Sequence, residues 1–184
     1  MRIVIEGLWA LGKTSICKFL KKDYGFSFIK EPDHKKRKVN NIDLDYWYYD
    51  KHIENLEKAI KTVNTNVVLE RSAASTLAFI KSRDGKPQLA KKLITDRRFL
   101  KYRRLDLCII LKISYKDYLM RLRSSRNRGL KKFILSNKNL VRNYNRNLKF
   151  YCELLFGKKK VKTINVFKDK SSIKNHLIKK LLKW

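Results

Sequence analysis

Gly7-Leu8-Trp9-Ala10-Leu11-Gly12-Lys13-Thr14 is a complete G-x-x-x-x-G-K-[ST] string, placed directly after the apolar run Ile3-Val4-Ile5 and opening a helix-length stretch. Each residue type has a physical reason to be there. The two glycines let the backbone wrap closely around an anion and turn its N–H groups inward. Lys13 brings a cation, Thr14 a hydroxyl that suits a hard metal ion, and the helix start a positive dipole end. With 6 Gly and 32 Lys among 184 residues, the string would arise by chance in about three of a thousand such chains. Its position between strand and helix lowers that further, so the stretch reads as a cradle for a phosphate chain. It spans Gly7, Leu8, Trp9, Ala10, Leu11, Gly12, Lys13, Thr14 and the following Ser15.

Outward from this turn, strands and helices alternate. Short runs rich in Ile, Val, Leu and Phe predict strands over 2–6, 26–30, 66–70, 106–111 and 162–167, buried on both faces. Helix-length segments fall over 13–23, 44–63, 72–83, 88–102, 114–125, 139–156 and 171–183. Ser114 followed three residues later by Asp117 has capping-box spacing, and Leu119 and Leu122 continue the stripe behind it. The pattern predicts an α/β, three-layer P-loop fold: a five-stranded parallel sheet with helices on both faces. It forms one domain over 1–184, with a short basic lid at about 121–135. On such sheets ligands sit outside the carboxyl ends of the strands, so the residues after each strand carry the search for function.

The composition narrows the class. An apolar share of 43% is that of a globular chain, and no apolar run approaches the ~20 residues of a membrane span. Glu6 interrupts the apolar N-terminus, which excludes a signal peptide, and a cytoplasmic location is expected. Cys17, Cys108 and Cys152 have neither metal nor disulfide spacing. Lys and Arg number 46 against 16 Asp and Glu, a net charge of +30. The excess is rich in Lys and spread along the chain, and Lys, Asn and Ile share AT-rich codons. Base composition of the coding sequence accounts for it ahead of a nucleic-acid partner, although the run Lys35 to Lys38 keeps that partner open. Either origin gives a positive field that draws in nucleotides in a salt-dependent way.

Three further crossings bear on the substrate. Lys30-Glu31-Pro32 follows the second strand, Glu70-Arg71-Ser72 follows the third, and Arg121, Arg123, Arg126 and Arg128 cluster later. The set resembles the thymidylate kinase and deoxynucleoside kinase superfamily of P-loop kinases. Glu70 to Phe79 looks like the Asp-Arg motif of thymidylate kinases with its Ser and Ala-Tyr pair. Trp47-Tyr48-Tyr49-Asp50-Lys51 is similar to their Phe-x-x-x-Arg helix. The Ile-Glu-Gly opening and the Glu-Arg-Ser triplet look instead like deoxynucleoside kinases.

The resemblance implies ATP-dependent phosphoryl transfer, with Mg²⁺, to a nucleoside monophosphate, dTMP to dTDP foremost. Lys13 and Thr14 would meet the triphosphate and its metal, with Glu70 holding a metal-bound water. Arg71 would bind the acceptor's 5′-oxygen or phosphate, where a guanidinium fork suits two-point contact. Glu31 would act as base on a 5′-hydroxyl, or contact sugar or metal-bound water if the acceptor is already a phosphate. Trp47 would stack on the base, with Lys51 and Ser75 beside it. The four lid arginines would neutralise charge on the transferring group, a role worth roughly 10³–10⁵ in rate elsewhere. No basic residue lies between Gly7 and Gly12, which leaves that charge to the lid. A homodimer is what the resemblance suggests; no residue demands it.

The chain departs from the thymidylate kinase pattern at several points. Asp33-His34-Lys35-Lys36-Arg37 stands where glycines follow Glu-Pro, Ile80 replaces a Gln, and Lys131 and Lys132 replace acids after the lid. Base identity and acceptor state therefore stay open. A deoxynucleoside kinase acting on a 5′-hydroxyl is the second expectation. A nucleic-acid-binding P-loop protein or polynucleotide 5′-kinase is the third.

Overall fold

A computed structural model describes residues 1–33, 43–83, 87–123 and 128–166. The element order is β1 (Arg2–Gly7), α1 (Lys13–Tyr24), β2 (Ser27–Ile29), α2 (Leu44–Lys61), β3 (Val67–Glu70), α3 (Ala73–Ser82) and α4 (Pro87–Ile94). There follow a 3₁₀ segment (Arg97–Arg104), β4 (Leu107–Lys112), α5 (Tyr115–Arg123), α6 (Arg128–Ser136), α7 (Lys138–Phe156) and β5 (Val161–Asn165), the last after a single 3₁₀ turn.

The five strands form one sheet in the order β2-β3-β1-β4-β5, and every pairing is parallel. Central β1 has Ile3, Val4 and Ile5 wholly buried. A strand can reach that state only if helices cover both faces of the sheet, and each such side chain contributes about 1.5–3 kcal/mol by leaving water. On one side of the sequence order α1 packs on β1, β2 and β3; α2 packs on β3, and α7 lies against β4 and along α3. The helix spans follow local chemistry. Asp43 caps α2 by accepting from the Asp45 amide at 2.8 Å, and Ser72 caps α3 by accepting from Ala74 at 3.2 Å. The predicted box at α5 forms: Ser114 accepts from the Asp117 amide at 3.1 Å and donates to its carboxylate at 2.6 Å.

The structure departs from the sequence expectation in three places. The single helix expected over 88–102 is two pieces, because the Asp96 carboxylate accepts from the Arg98 amide and restarts the chain as a 3₁₀ segment. The stretch expected as a lid contains its own helix, α6, with Ile134 buried. Edge strand β2 is half-buried throughout rather than covered on both faces. The helix expected over 171–183 lies outside the described residues. Among the described residues no helix is long and apolar enough to cross a membrane.

Register sets the site. Ile5 pairs with Glu70 across β1 and β3, and Gly7 with Leu111 across β1 and β4, so three strands end side by side. Gly7 has φ +139°, and a Cβ there would lie 2.8 Å from the Leu111 carbonyl oxygen. The chain can leave β1 at this angle only without a side chain. α1 then begins behind Gly12, itself left-handed at φ 85°.

Candidate active site

The turn from Gly7 to Gly12 is seated by its apolar residues. Leu8 and Leu11 are buried in the core, which presses the loop onto the sheet, while Ser15 points outward on the first turn of α1. Lys13 is buried, its Nζ donating to the carbonyls of Gly7 at 3.2 Å and Leu8 at 2.7 Å. Burial, helped by the Arg71 guanidinium, pulls the Lys13 pKa down to about 7. The Thr14 hydroxyl donates to Glu70 Oε1, and Glu70 Oε2 is buried with no hydrogen-bond partner among the described residues. A hydroxyl and an orphaned carboxylate oxygen beside a phosphate-type loop fit a magnesium ion, which takes one or two protein ligands and keeps its waters.

On the other side of the loop lies a cavity of about 350 Å³. Arg71 stands at its inner end. It is 3% exposed and left-handed at φ 68°, a conformation uncommon for a non-glycine residue. Its Nε forms an ion pair with Glu31 Oε1 at 2.8 Å, and Nη1 donates to Ser75 Oγ at 2.9 Å and to the Tyr144 hydroxyl oxygen at 2.8 Å. Nη2 is buried with no hydrogen-bond partner among the described residues. Burial works to raise the Glu31 pKa, but Arg71 and Lys13 outweigh it and hold the carboxyl below its usual value. Glu31 is therefore ionised at neutral pH and able to accept.

Behind Arg71 sits a second carboxylate, to which the sequence reading assigned no role in the site. Glu6 is fully buried and accepts from Ser72 Oγ at 2.6 Å and Ser75 Oγ at 2.5 Å. Burial raises its pKa; Arg71 and the two hydroxyls work against the rise. Ser75 thus connects Glu6 to Arg71. Trp9 reaches from the phosphate loop into the same cavity, 5.1 Å from Tyr144 and 5.9 Å from Phe79, with the Arg71 guanidinium 5.6 Å from its ring. His52 is a further cavity residue, fully buried, its pKa lowered to about 4 chiefly by burial, and hence neutral. At the far end Arg83 makes an ion pair with Asp45 and lies 4.6 Å over the Phe79 ring.

The predicted residues divide cleanly. Lys13, Thr14, Glu70, Glu31, Arg71 and Ser75 converge at the ends of β1, β2 and β3. Arg121, on the last turn of α5, faces the loop: a Cβ on Gly12 would lie 3.8 Å from its Nη2. Partial burial lowers its pKa. Arg123 and Arg128 are exposed at the facing ends of α5 and α6, and Arg126 lies outside the described residues. Trp47 packs edge-on against Tyr48 at 5.1 Å, and it is Tyr48 that lines the cavity. Lys51 pairs with Glu54 at 2.7 Å on the surface of α2. Glu6, Asp45, His52, Arg83 and Tyr144 were not singled out from sequence; the polar residue ending an otherwise apolar β1 was the one available signal, and it pointed to Glu6.

Sheet order, all-parallel pairing and the loop between β1 and α1 define the class: this is a P-loop nucleotide-binding fold. Within that class the fold is of the thymidylate and deoxynucleoside kinase type, as comparison with solved structures shows. The chain superposes on the M. mycoides deoxyadenosine kinase holding dCMP and a flexible dCDP with TM-score 0.74 at 18% identity, covering 100% of both chains. With the thymidylate kinase of Candida albicans the TM-score is 0.65 at 15% identity, over 99% of this chain and 91% of that one. With the Bacillus subtilis YorR protein in complex with phosphorylated GDP it is 0.65 at 17%, over 98% and 95%. No family model and no curated protein sequence matches the chain.

Proposed function

We propose that the chain transfers the γ-phosphoryl group of ATP to an oxygen of the 5′-phosphate of a nucleoside monophosphate, releasing ADP, dTMP being the first acceptor to try. One observation carries the reading: a phosphate loop with Lys13, Thr14 and Glu70 stands beside a nucleoside-sized cavity whose inner end holds the Glu31–Arg71 pair. The fold of nucleoside and nucleotide kinases supports it. Thr14 and Glu70 would hold Mg²⁺, which supplies charge neutralisation between the β- and γ-phosphates when bound. Lys13 would leave the loop carbonyls for the triphosphate, and Arg121 would approach it from the lid side. Arg71, pinned by Glu31, Ser75 and Tyr144, would offer its Nη2 to the acceptor's 5′-oxygen or phosphate. Holding donor and acceptor in line, with charge fixed around the transferring group, is most of what such an enzyme supplies.

A specific observation favours a second reading, in which the acceptor is a nucleoside. In a chain of net charge +30, the cavity is lined by Glu31, Asp43 and Asp45 against Arg71 and Arg83. A lining with more carboxylates than guanidiniums suits a neutral sugar hydroxyl better than a dianion. Glu31, ionised and beside Arg71, would then take the hydroxyl proton.

The test is γ-phosphoryl transfer from ATP and Mg²⁺ to nucleosides, their 5′-monophosphates and 5′-hydroxyl oligonucleotides, with Lys13→Ala as the silent control. Glu31→Gln separates the two readings: rate on a hydroxyl acceptor falls about 10²–10⁴-fold, and on a phosphate acceptor much less. Transfer only to oligonucleotides, or to nothing, would overturn the proposal.

A further inference from the structure

The phosphate loop and the cavity share one side chain. Among the described residues from Gly7 to Thr14, Trp9 is the one that lines the cavity, and it is half-buried where its neighbour Leu8 is buried in the core. Three elements seat the indole, with ring centroids of Tyr144 on α7 at 5.1 Å, Phe79 on α3 at 5.9 Å and Phe133 on α6 at 6.1 Å. The last two meet it edge-on, an arrangement that aromatic pairs favour. The Arg71 guanidinium lies 5.6 Å from the ring, and the Tyr144 hydroxyl that accepts from Arg71 belongs to the ring packed on the indole. The next residue, Ala10, is exposed and left-handed at φ 59°, a conformation that persists in a residue with a Cβ only where its surroundings impose it. Leu8 and Leu11 impose the shape of the loop from the core side. On the cavity side that task falls to Trp9.

Resting on the kinase reading above, we propose that Trp9 is a positioning residue that couples the donor and acceptor sites. An acceptor in the cavity fixes the indole, and the fixed indole holds the loop in the shape that the triphosphate needs. When the donor binds alone, part of its binding free energy goes into ordering the ring and the strained turn at Ala10. When the acceptor is already bound, that ordering has been done, so the donor binds more tightly than it does alone. Linkage makes the effect reciprocal: the factor that the acceptor adds to donor affinity is the factor that the donor adds to acceptor affinity. Arg71 strengthens the link, because the guanidinium with a buried, unpartnered Nη2 for the acceptor is the one that lies beside the ring. Phe133 extends it to α6, since the ring that closes the seat of the indole from that helix is outside the cavity lining.

The experiment is titration calorimetry on the full chain with a non-hydrolysable ATP analogue and Mg²⁺, first alone and then after saturation with each of the four deoxynucleosides and their 5′-monophosphates that binds. The same pairs are then titrated in the reverse order. The coupling factor, affinity with the other ligand over affinity without it, is expected to be about tenfold in the unaltered chain and equal in both orders. In Trp9→Ala it should fall below threefold. A merely structural defect would weaken each ligand alone and leave the factor unchanged. A melting temperature within a few degrees of the parent shows that a variant is folded. Phe133→Ala, which removes one wall of the indole's seat at a partly exposed residue, serves if Trp9→Ala is not, and its factor should also fall below threefold. A factor near one in the unaltered chain, or an undiminished factor in the folded variant, overturns the coupling and leaves the kinase reading intact. If the unaltered chain fails to bind the analogue, or binds no acceptor, the kinase reading falls and the coupling with it.

Discussion

If Lys13 meets a triphosphate as proposed, its lowered pKa predicts that nucleotide affinity depends on pH, and predicts the direction. In the free protein its ammonium is buried, beside the Arg71 guanidinium, and its pKa is drawn down to about 7. The two loop carbonyls that it meets, at 3.2 and 2.7 Å, are satisfied by a neutral amine's two hydrogens as well as by an ammonium. A bound triphosphate changes the balance, because several negative charges within contact distance restore the charged form. Binding at or above pH 7 therefore takes up a proton. With the free pKa at about 7, affinity should weaken about tenfold by pH 8 and about a hundredfold by pH 9 relative to its low-pH limit. The same shift acts on the fold: between about 7 and the ordinary 10.5 the unfolded chain binds more protons than the native one, so stability without nucleotide rises with pH across that window. Calorimetric titration with a non-hydrolysable ATP analogue and Mg²⁺, from pH 6.5 to 9 in buffers of different ionisation enthalpy, reads affinity and proton uptake together. Lys13→Arg is the control, since arginine stays charged throughout; its slope should be flat. A flat slope in the unaltered chain, or the same slope in Lys13→Arg, would refute the reasoning.

Two further perturbations test the frame of the site. Gly7→Ala places a Cβ 2.8 Å from the Leu111 carbonyl at φ +139°; chemical denaturation should show a loss of about 3 kcal/mol or more, with nucleotide binding abolished. Glu6→Ala removes the acceptor of two buried hydroxyls at 2.6 and 2.5 Å and should cost about 2–5 kcal/mol. Glu6→Gln keeps the shape, so its melting temperature should fall less while kcat drops about tenfold through a displaced Arg71; an unchanged kcat sinks the link from Glu6 through Ser75 to Arg71.

The fold was legible because its signals are local. A glycine-lysine loop between an apolar strand and a helix, and four more apolar runs at strand length, need no knowledge of distant contacts, and all five strands stand where the pattern put them to within about two residues. The meeting of Glu31 and Arg71 was legible for the same reason: each closely follows the end of a strand, and parallel register brings strand ends together. The far end of the cavity was not. Asp45 and Arg83 belong to different helices and meet only because α2 packs on α3, and nothing in either local sequence separates them from other charges in a chain with 62 of them, 46 basic and 16 acidic. The aromatic stripe of α2 illustrates the limit most plainly. Trp47 and Tyr48 are adjacent, yet one residue of helical rotation decides which ring reaches the cavity, and it is the smaller.

The placement of Trp9 gives the phosphate loop an optical sense. Its indole touches Tyr144 on α7, Phe79 on α3 and Phe133 on α6, and lies 5.6 Å from the Arg71 guanidinium. A charge that close shifts and quenches indole emission, and any movement of α6 over the loop changes how much water the ring meets. Removing Trp47 and Trp184 by substitution with Phe leaves a chain of one tryptophan. Its emission would follow donor loading, acceptor loading and lid position in real time, without a label and without a coupled assay.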